Sequence, residues 1–321
     1  GIKIEPERTG IVMGTAMAGI ATIAYTQEAL TGASHKKVGP RFIPKILGNI
    51  AAANIAIDYN IQGPSFTVST ACSSGGDAIN TACMCMQSGK ADIMLAVGAE
   101  SVLCPLVIYS LANAKALSRR NDSPSTASRP FDVTRDGFVI GEGGGALVLE
   151  TEEHALARGA KIYAEIRGCG NTDDAYHVTA PHPEGRGAIA CMKQAIAEAG
   201  INPSDIGYIN AHGTATNKGD TVETSSIKKV FGNTLPYVSS TKGATGHMMG
   251  AGGITETITC VKAIETGTVP PTINLNEVDP ECAGIDFVAN TAKKAEINFA
   301  MSNAFGFGGQ NSSIIVGKYG K

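Results

Sequence analysis

Apolar residues in this chain occur in short runs that alternate with stretches of helical spacing. The runs are rich in valine, isoleucine and small residues, a composition typical of buried strands. They predict strands over residues 9–14, 65–69, 92–97, 145–150, 162–168, 208–210, 237–240, 299–302 and 312–317. Between the strands, apolar positions three and four residues apart predict helices over residues 75–88, 187–199, 220–231 and 252–265. This alternation predicts an α/β protein whose parallel or mixed sheets are covered by helices.

Two parts of the chain share one order of a strand, a turn of small residues and a helix. Residues 66–70 lead into the turn around Cys72, and residues 237–241 lead into the glycine-rich stretch 243–253. The similarity is slight, and strand–helix units are common, but the order is that of a duplicated chain. Because no linker-like segment separates the two parts, we expect two intertwined halves.

Composition and charge restrict the classes of function. Hydrophobic residues form 43% of the 321 residues and charged residues 17%, which is enough for a large core. The net charge of −3 produces no field that would hold nucleic acid or an anionic membrane. The sequence contains no run of about 18 apolar residues, so we expect no transmembrane helix. Residues 1–10 lack the apolar core of a signal peptide.

The eight cysteines do not have the spacing of a metal site. Cys83 and Cys85 are separated by one residue, whereas zinc knuckles use pairs separated by two or more. These two cysteines, like Cys191 and Cys260, fall at apolar positions of predicted helices. Small buried side chains in a reducing compartment explain most of the cysteines. The expected location is therefore the cytoplasm or, in a eukaryote, the plastid stroma.

Cys72 differs from the other cysteines because it lies where an apolar strand ends and a helix begins. The sequence Ala-Cys-Ser-Ser-Gly-Gly, which starts at Ala71, allows a sharp turn that presents the thiol in a cleft. Free N–H groups at the helix start carry partial positive charge. We expect them to lower the thiol pKa from about 8.5 and to act as oxyanion donors. A lone cysteine is more often simply buried, so the assignment depends on residues downstream.

Two histidines follow short strands later in the chain. His212 lies in the run Asn-Ala-His-Gly-Thr-Ala-Thr, and His247 ends the run Lys-Gly-Ala-Thr-Gly-His that begins at Lys242. A last motif, residues 303–311, interleaves phenylalanine with glycine and so combines adaptable backbone with bulky side chains. One histidine in such a place is more often structural. Two of them, both downstream of the Cys72 turn, indicate a catalytic cluster.

These segments resemble the β-ketoacyl-acyl carrier protein synthases of the thiolase superfamily, specifically the KAS I/II branch and its KAS II-like members. The likeness runs from about Thr9 to the C-terminus and includes residues 128–132 and 136–143. It implies a thiolase-like, duplicated five-layer αβαβα fold, with an N-terminal half over residues 1–165 and a C-terminal half over residues 166–321. Members of this family normally begin with a further strand and helices ahead of the segment that matches Thr9. The N-terminal part of the first half is therefore expected to be truncated here.

The resemblance implies a decarboxylating Claisen condensation in fatty acid chain elongation. Cys72 is expected to hold the acyl group as a thioester. Malonyl-acyl carrier protein loses carbon dioxide and attacks this thioester, giving 3-oxoacyl-acyl carrier protein. His212 and His247 match the pair that assists decarboxylation and stabilises the enolate oxygen, a task that suits imidazole N–H donors. Lys242 matches a lysine that forms hydrogen bonds within the site.

Further residues match positions around the reacting groups. The N–H groups of Cys72 and Phe307 correspond to an oxyanion hole, and the Phe307 side chain to a gate over the acyl pocket. Thr214 and Thr216 correspond to residues that bind the phosphopantetheine arm. Phe305 is expected on the substrate side or as a core aromatic beside the gate. Three acids are expected to support the site, with helix capping or plain burial an equal alternative: Asp220, Glu223 and Glu256.

The resemblance also implies the partners. Substrates arrive on the phosphopantetheine of acyl carrier protein, and the enzyme itself is expected to use no cofactor and no metal. Because carrier protein is acidic, its docking surface should be basic. Two clusters qualify, although solvated surface charge is an equal alternative: Lys36, Lys37, Arg41 and Lys45 in one, and Lys115, Arg119 and Arg120 in the other. A homodimer is expected, and neither nucleic acid nor a membrane is expected as a partner.

Related functions differ at identifiable residues. A polyketide-type ketosynthase of the same fold would share the motifs and differ in its substrate. Thiolases and KAS III enzymes use Cys-His-Cys or Cys-His-Asn, which the second histidine, His247, contradicts. A non-catalytic chain-length factor lacks the nucleophile, which Cys72 contradicts. A Cys-His hydrolase would not explain the paired histidines.

Overall fold

A computed structural model describes residues 4–32 and 37–320 of the chain. These residues form a four-stranded sheet, a six-stranded sheet and a two-stranded ribbon, all surrounded by helices. Of the basic cluster expected between residues 36 and 45, Lys36 lies outside the described residues.

The strands, in chain order, are β1 (Thr9–Gly14), β2 (Ser65–Val68), β3 (Ile93–Glu100), β4 (Gly143–Glu150), β5 (Glu165–Asp173), β6 (Ile206–Asn210), β7 (Tyr237–Ser239), β8 (Thr268–Val269), β9 (Asp286–Phe287), β10 (Lys293–Lys294), β11 (Phe299–Phe305) and β12 (Gln310–Gly317). The α-helices are α1 (Ile20–Thr31), α2 (Phe42–Ile46), α3 (Ile50–Tyr59), α4 (Ser74–Gln87), α5 (Pro105–Asn113), α6 (Glu152–Ala157), α7 (Arg186–Ala199), α8 (Asn217–Phe231), α9 (Lys242–Thr245) and α10 (Gly252–Thr266). None of the helices in the described ranges combines the length and the apolar content needed to cross a membrane.

The two larger sheets repeat one topology. In the first sheet, β1 is parallel to β2 and β3, and β4 is antiparallel to β3, which gives the order β2-β1-β3-β4. In the second sheet, β6 is parallel to β7 and β11, and β12 is antiparallel to β11. Its order is β5-β12-β11-β6-β7-β9, so β7-β6-β11-β12 repeats the first sheet and β5 and β9 extend it. The duplication indicated by the sequence is confirmed in this repeated order.

Helices α4 and α10 lie between the two sheets. α4 packs against β1, β3 and β12, and α10 packs against β4, β3 and β11. On the outer faces, α3 covers β1 and β2 of the first sheet, and α7, with α8 beside it, covers β5 and β12 of the second. The layers therefore follow the predicted order of helix, sheet, helix, sheet, helix. The apolar core between the sheets includes Val12, Ala78, Ile254, Ala300 and Ile314.

The strands and long helices predicted from periodicity are all present, with ends shifted by a few residues. The largest shift is at β5, which runs from Glu165 to Asp173 rather than over residues 162–168. Helices α1 and α3 are not predicted. α1 buries none of its residues and α3 buries only Ala52, so neither has an apolar stripe that periodicity could reveal. The two-residue strands β8, β9 and β10 exist only through pairing with distant partners.

Candidate active site

Cys72 lies in a tight turn between β2 and α4. β2 ends at Val68, one turn of 3₁₀ helix covers Ala71–Ser73, and α4 begins at Ser74. Ala71 has a φ of 52°, in the left-handed region that costs a residue with a Cβ roughly 1–2 kcal/mol. The predicted sharp turn is confirmed, and it holds a strained residue directly before Cys72.

Serine hydroxyls stabilise this turn. The Ser74 hydroxyl accepts a hydrogen bond from the N–H of Thr70 at 2.9 Å and donates to the carbonyl of Ala71 at 2.6 Å. The Ser73 hydroxyl donates to the carbonyl of Thr70 at 2.7 Å. Because both hydroxyls belong to the first residues of the helical segment, the helix start and the strained turn hold each other in place.

Close packing brings Cys72 against the second half of the chain. A Cβ on Gly75 would lie 2.8 Å from the carbonyl oxygen of Gly250, so only glycine allows α4 to approach the segment before α10 this closely. Cys72 is 8% exposed as a result. The thiol thus lies at the junction of the two halves.

His247 contacts the Cys72 thiol. Its Nε2 lies 3.1 Å from Cys72 Sγ, and its ring is 2% exposed. The N–H of His247 donates to the carbonyl of Val139 at 2.8 Å, and its carbonyl accepts from the N–H of Gly141 at 2.9 Å. Phe138 packs edge-on against the imidazole, with 5.3 Å between ring centroids. Backbone pairing and one aromatic side chain therefore fix the ring on the sulfur.

His212 reaches the same site from the loop after β6. Its ring centroid is 5.3 Å from that of His247, with the two planes at 88°, and the Phe305 ring is 5.9 Å away. The N–H groups of His212 and Gly213 donate to the two carboxylate oxygens of Glu223, each at 2.8 Å. Glu223 therefore anchors the loop that carries His212.

Lys242 forms a buried ion pair with Glu256 of α10. Lys242 is 2% exposed and Glu256 is 3% exposed. Burial raises the pKa of Glu256, and the nearby Lys242 charge opposes that rise. The carbonyl of Lys242 accepts a hydrogen bond from the Ser128 hydroxyl at 2.5 Å. The pair places a fixed positive charge near the two histidines.

The loop between β11 and β12 lies against the Cys72 turn. The backbone N–H of Phe307 lies close enough to the Cys72 thiol to lower its pKa. A Cβ on Gly306 would lie 2.7 Å from the carbonyl oxygen of Thr70 and 3.3 Å from the nitrogen of Cys72. The Phe307 side chain is 38% exposed. The structure thus brings the Phe307 N–H to Cys72, while the gating role of the Phe307 ring stays a prediction.

Thr214 and Thr216 continue the loop that carries His212. Their hydroxyl oxygens lie 3.1 Å apart, and Thr214 is 6% exposed. Thr216 directly precedes α8. The structure places both threonines beyond the histidine on the same loop, and their contact with a phosphopantetheine arm stays a prediction.

Two buried acids of α8 support this loop. Asp220 accepts hydrogen bonds from the N–H groups of Phe131 at 2.8 Å and Ala215 at 3.2 Å, and it lies 3.4 Å from the Arg135 guanidinium. Burial raises the pKa of Asp220 to about 6, against the hydrogen bonds and the Arg135 charge that lower it. Burial likewise raises the pKa of Glu223 to about 7. Both acids bond to loop backbone, as buried supporting carboxylates do.

Burial dominates the protonation of the three reacting groups. It raises the pKa of the Cys72 thiol to about 11, and the Phe307 N–H and the Lys242 charge offset only part of the rise. Burial also lowers the pKa of His212 and of His247 well below 6.5, and the Lys242 charge lowers both further. The expectation of a lowered thiol pKa is therefore wrong, because desolvation of a buried thiolate exceeds the favourable interactions. At neutral pH the site holds a neutral thiol and two neutral imidazoles.

Residues 138–141 hold His247 from both sides, a role that the sequence did not reveal. They belong to the family-like segment 136–143, yet none of residues 138–141 has a side chain with the chemistry of a catalyst. Phe131 acts similarly on the other histidine loop: a Cβ on Gly213 would lie 2.9 Å from its ring. The sequence offered one indication of this role: apolar residues stand next to glycine in a segment to which no other function was assigned.

Family models match both halves of the chain. Residues 2–155 match the β-ketoacyl synthase N-terminal domain, and residues 163–276 match the β-ketoacyl synthase C-terminal domain. Cys72 falls in the first match, and Lys242 and both histidines fall in the second.

Curated relatives are similar in sequence over nearly the whole chain. The 3-oxoacyl-[acyl-carrier-protein] synthase 2 of Rhizobium meliloti is 45% identical over 314 residues, 97% of this chain and 74% of the relative. The protein of the same name from Coxiella burnetii is 45% identical over 313 residues, 97% of this chain and 75% of the relative. The mitochondrial 3-oxoacyl-[acyl-carrier-protein] synthase of Arabidopsis thaliana is 44% identical and covers 97% of this chain and 68% of its own length.

Solved structures have the same fold. A ketosynthase in complex with its type II polyketide acyl-carrier protein superposes with a TM-score of 0.93 at 34% identity, covering 98% of this chain and 79% of that one. A β-ketoacyl synthase from Burkholderia phymatum gives a TM-score of 0.91 at 35% identity, covering 98% of this chain and 76% of that one. The predicted thiolase-like fold is confirmed. With the sequence matches, these structures place the chain in the β-ketoacyl synthase family of condensing acyltransferases.

Proposed function

We propose that this chain catalyses the decarboxylating condensation of an acyl thioester with malonyl-acyl carrier protein, which gives 3-oxoacyl-acyl carrier protein in fatty acid chain elongation. The observation that carries the proposal is the 3.1 Å contact between Cys72 Sγ and His247 Nε2. The same site contains His212 and the N–H of Phe307. A nucleophile, a proton acceptor, a second imidazole and a backbone donor are the groups that this reaction needs.

Acyl transfer to Cys72 is the first step. As Sγ attacks the thioester carbonyl of acyl-carrier protein, the thiol proton passes to His247 Nε2, which is neutral and within reach. The oxyanion that forms accepts hydrogen bonds from the N–H groups of Cys72 and Phe307. When the carbonyl re-forms, the carrier thiolate leaves and takes the proton from His247. The products are acyl-Cys72 and free carrier thiol, and His247 is neutral again.

Condensation is the second step. Malonyl-acyl carrier protein loses carbon dioxide, and its enolate oxygen accepts hydrogen bonds from His212 and from His247, whose ring proton is on Nε2 in this step. The lowered pKa of each ring keeps it a neutral donor at pH 7. The enolate carbon attacks the acyl-Cys72 carbonyl, and the oxygen of that carbonyl again accepts hydrogen bonds from the N–H groups of Cys72 and Phe307. Cys72 leaves as a thiolate and regains a proton from water, and the product departs on carrier protein.

The other site residues position these groups. Burial keeps both histidines neutral, and the charge of Lys242, which is paired with Glu256, adds to that effect. Asp220 and Glu223 hold the loop that carries His212. Four residues have proposed roles on the substrate side, as contacts to the pantetheine arm or as walls of the acyl pocket: Thr214, Thr216, Phe305 and Phe307.

Intact-mass analysis tests this proposal. Incubation with acyl-carrier proteins of several chain lengths should add one acyl mass to the protein, and peptide mapping should place it on Cys72. Malonyl-acyl carrier protein should then remove the adduct and release a product two carbons longer. A protein that gains no acyl mass on Cys72 with any chain length would contradict the proposal.

A polyketide ketosynthase is the second candidate, favoured by the 34% identical polyketide ketosynthase structure. The two functions differ in the number of condensations that occur without intervening reduction. Several successive condensations on one chain, in an incubation that contains only this enzyme and carrier-bound substrates, would favour the polyketide function. A single condensation favours fatty acid elongation.

Acyl carrier protein is the partner that this reaction requires. Lys37, Arg41 and Lys45 are exposed around a groove of about 640 Å³ beside α1 and α2. Their charge suits an acidic partner. In the second basic cluster, Arg120 is half-buried and donates to the carbonyl of Thr134 at 3.1 Å, which makes that cluster less suitable.

Charge reversal tests this docking surface. Changing Lys37, Arg41 and Lys45 together to glutamate should raise KM for carrier-bound substrate about tenfold, because the steering charge changes sign. KM for a small pantetheine thioester should not change. The matched control reverses three exposed lysines elsewhere, Lys90, Lys193 and Lys218. An equal loss with both substrates would contradict docking at this groove.

We also infer a homodimer of chains that each contain two halves, residues 1–165 and 166–321. The division is supported because each larger sheet draws its strands from one half, apart from Glu165 at the start of β5. The dimer is supported by β2, an edge strand of its sheet among the described residues, on which Phe66 is 48% exposed. Ile57 and Tyr59 of the adjacent α3 are 77% and 60% exposed. Sedimentation velocity tests the dimer, and a monomer at micromolar concentration would contradict it.

A reducing compartment, the cytoplasm or plastid stroma, is the proposed location. All eight cysteines are free thiols, and all except the half-buried Cys83 are buried.

A further inference from the structure

A buried carboxylate that the proposed steps do not use lies directly behind the Cys72 turn. Asp77 belongs to the first turns of α4, five positions after Cys72, and is 4% exposed. A carboxylate so fully buried needs strong hydrogen bonds, because its own desolvation is costly. Its partners therefore indicate what it does.

Asp77 joins the Cys72 turn to the second sheet. Its Oδ2 accepts a hydrogen bond from the Thr70 hydroxyl at 2.5 Å, and its Oδ1 accepts from the side-chain amide of Asn171 at 2.7 Å. Thr70 precedes the strained turn in the first half, and Asn171 lies on β5 of the second half. Both bonds have a charged acceptor, the stronger kind of hydrogen bond.

Asp77 affects the position of the thiol through its hydrogen bond with Thr70. It directly precedes Ala71, whose φ of 52° is maintained only if its neighbours leave it no alternative. The Thr70 backbone is already held by the serine hydroxyls, and its carbonyl lies against Gly306 of the loop that carries Phe307. The hydrogen bond to Asp77 is the contact that fixes the Thr70 side chain.

We propose that Asp77 is a positioning residue for Cys72: by holding the Thr70 hydroxyl and the Asn171 amide, it fixes the strained turn that presents the thiol to His247 and Phe307. The inference rests on the proposed role of Cys72 as the nucleophile. Burial raises the pKa of Asp77, and the hydrogen bonds from Thr70 and Asn171 oppose that rise.

The experiment compares Asp77→Ala, Thr70→Val and the double variant by two rates. One is single-turnover acylation of Cys72 by an acyl thioester. The other is alkylation of Cys72 by iodoacetamide, followed by peptide-resolved mass spectrometry. Each single variant should slow both reactions about tenfold, because a displaced sulfur loses its contacts with His247 Nε2 and the Phe307 N–H. The double variant should be no slower than the slower single variant, because both changes remove the same hydrogen bond.

Two further variants separate positioning from general stability. Thr81→Val removes a comparable bond on the same helix, the 2.7 Å hydrogen bond from the Thr81 hydroxyl to the Asp77 carbonyl, without touching the turn. It should lower the melting temperature while both rates stay within twofold of the wild type. Asp77→Asn keeps an acceptor for Thr70 and should retain at least half of each rate.

Each alternative outcome counts against the proposal. Rates in Asp77→Ala that stay within twofold of the wild type would overturn it, as would single-variant losses that multiply in the double variant. Equal slowing by Thr81→Val would assign the effect to helix stability, and a loss in Asp77→Asn equal to that in Asp77→Ala would assign it to charge. Alkylation does not require condensation. If the wild type condensed nothing while the variants still showed the expected differences in alkylation rate, the proposed function would be rejected and the role of Asp77 upheld.

Discussion

The two strand–turn–helix units of the site hold their reactive groups differently. After β2 the chain makes one tight turn, with Ala71 at a φ of 52°, and Cys72 lies directly before α4. After β7 the chain passes through the short helix α9 and a second turn before α10 begins, and this longer segment carries both Lys242 and His247. The first turn is held by serine hydroxyls and, through Thr70, by the carboxylate of Asp77, whereas the second contains a buried ion pair.

This difference matches the work that each unit is proposed to do. The first unit has to place one sulfur atom, and a strained, tightly packed turn does so with few residues. The second has to place an imidazole and also set the electric field around it, which requires a charge and its partner. The repeated backbone therefore offers two equivalent positions at the junction of the sheets, and the segments after the two strands differ in length and in chemistry.

Among the variants that test this comparison, the one that removes the thiol should lose the most activity. Cys72→Ala should abolish the acyl adduct and lower condensation by about 10⁴-fold or more, because no other group replaces the nucleophile. Decarboxylation of the malonyl thioester should persist, since the second turn is unchanged. Intact mass and carbon dioxide release measure the two activities. Cys85→Ala, which changes a buried cysteine of α4, is the control. Condensation by Cys72→Ala would refute the assignment.

The ion pair of the second turn should matter chiefly for stability. Glu256→Gln leaves Lys242 buried without a counter-charge and should lower the free energy of unfolding by about 3–5 kcal/mol. Urea unfolding measures this value. The double variant Lys242→Met with Glu256→Gln should regain much of the lost stability. Its rate of decarboxylation should stay below that of the wild type, because the Lys242 charge is absent. A loss of less than about 1 kcal/mol in Glu256→Gln would show that the charge pair does not hold the turn.

The two histidines should separate the two steps. His247→Ala should slow both acylation and decarboxylation by about 10²–10³-fold, because His247 contacts the thiol and is also a proposed enolate donor. His212→Ala should slow decarboxylation by a similar factor and leave acylation within a few-fold. Single-turnover acylation and carbon dioxide release distinguish the variants. Identical profiles for both would contradict the division of roles.

A methyl group against the first turn should have the smallest effect. In Gly306→Ala the new Cβ would lie 2.7 Å from the Thr70 carbonyl oxygen, so the turn or the loop must shift. We expect kcat/KM for condensation to fall about tenfold, or roughly 1.4 kcal/mol of transition-state stabilisation. Gly207→Ala is the control, since its Cβ would meet nothing closer than 3.6 Å. Equal activity of Gly306→Ala and wild type would show that the turn tolerates displacement.

Most of the buried framework could be predicted from the sequence. The strands and long helices were visible because residues such as those of β1 and β3 are buried almost throughout, which leaves nearly continuous apolar runs. Helices α1 and α3 were not visible because almost none of their residues is fully buried, which leaves no regular apolar stripe. The site candidates were visible because Cys72, His212 and His247 each follow a strand in a run of small residues.

Local sequence by itself determined the αβ alternation, the turn at Cys72 and the identity of the reactive side chains, because these depend on neighbours along the chain. Only the tertiary structure decided what surrounds them. The His247 contact joins residues 175 positions apart, and residues 138–141 and Asp77 act on the site through backbone and side-chain contacts between distant segments. The thiol pKa is the clearest case. The helix start suggested a lowered value, but packing of the two halves removed water from the sulfur and raised it to about 11.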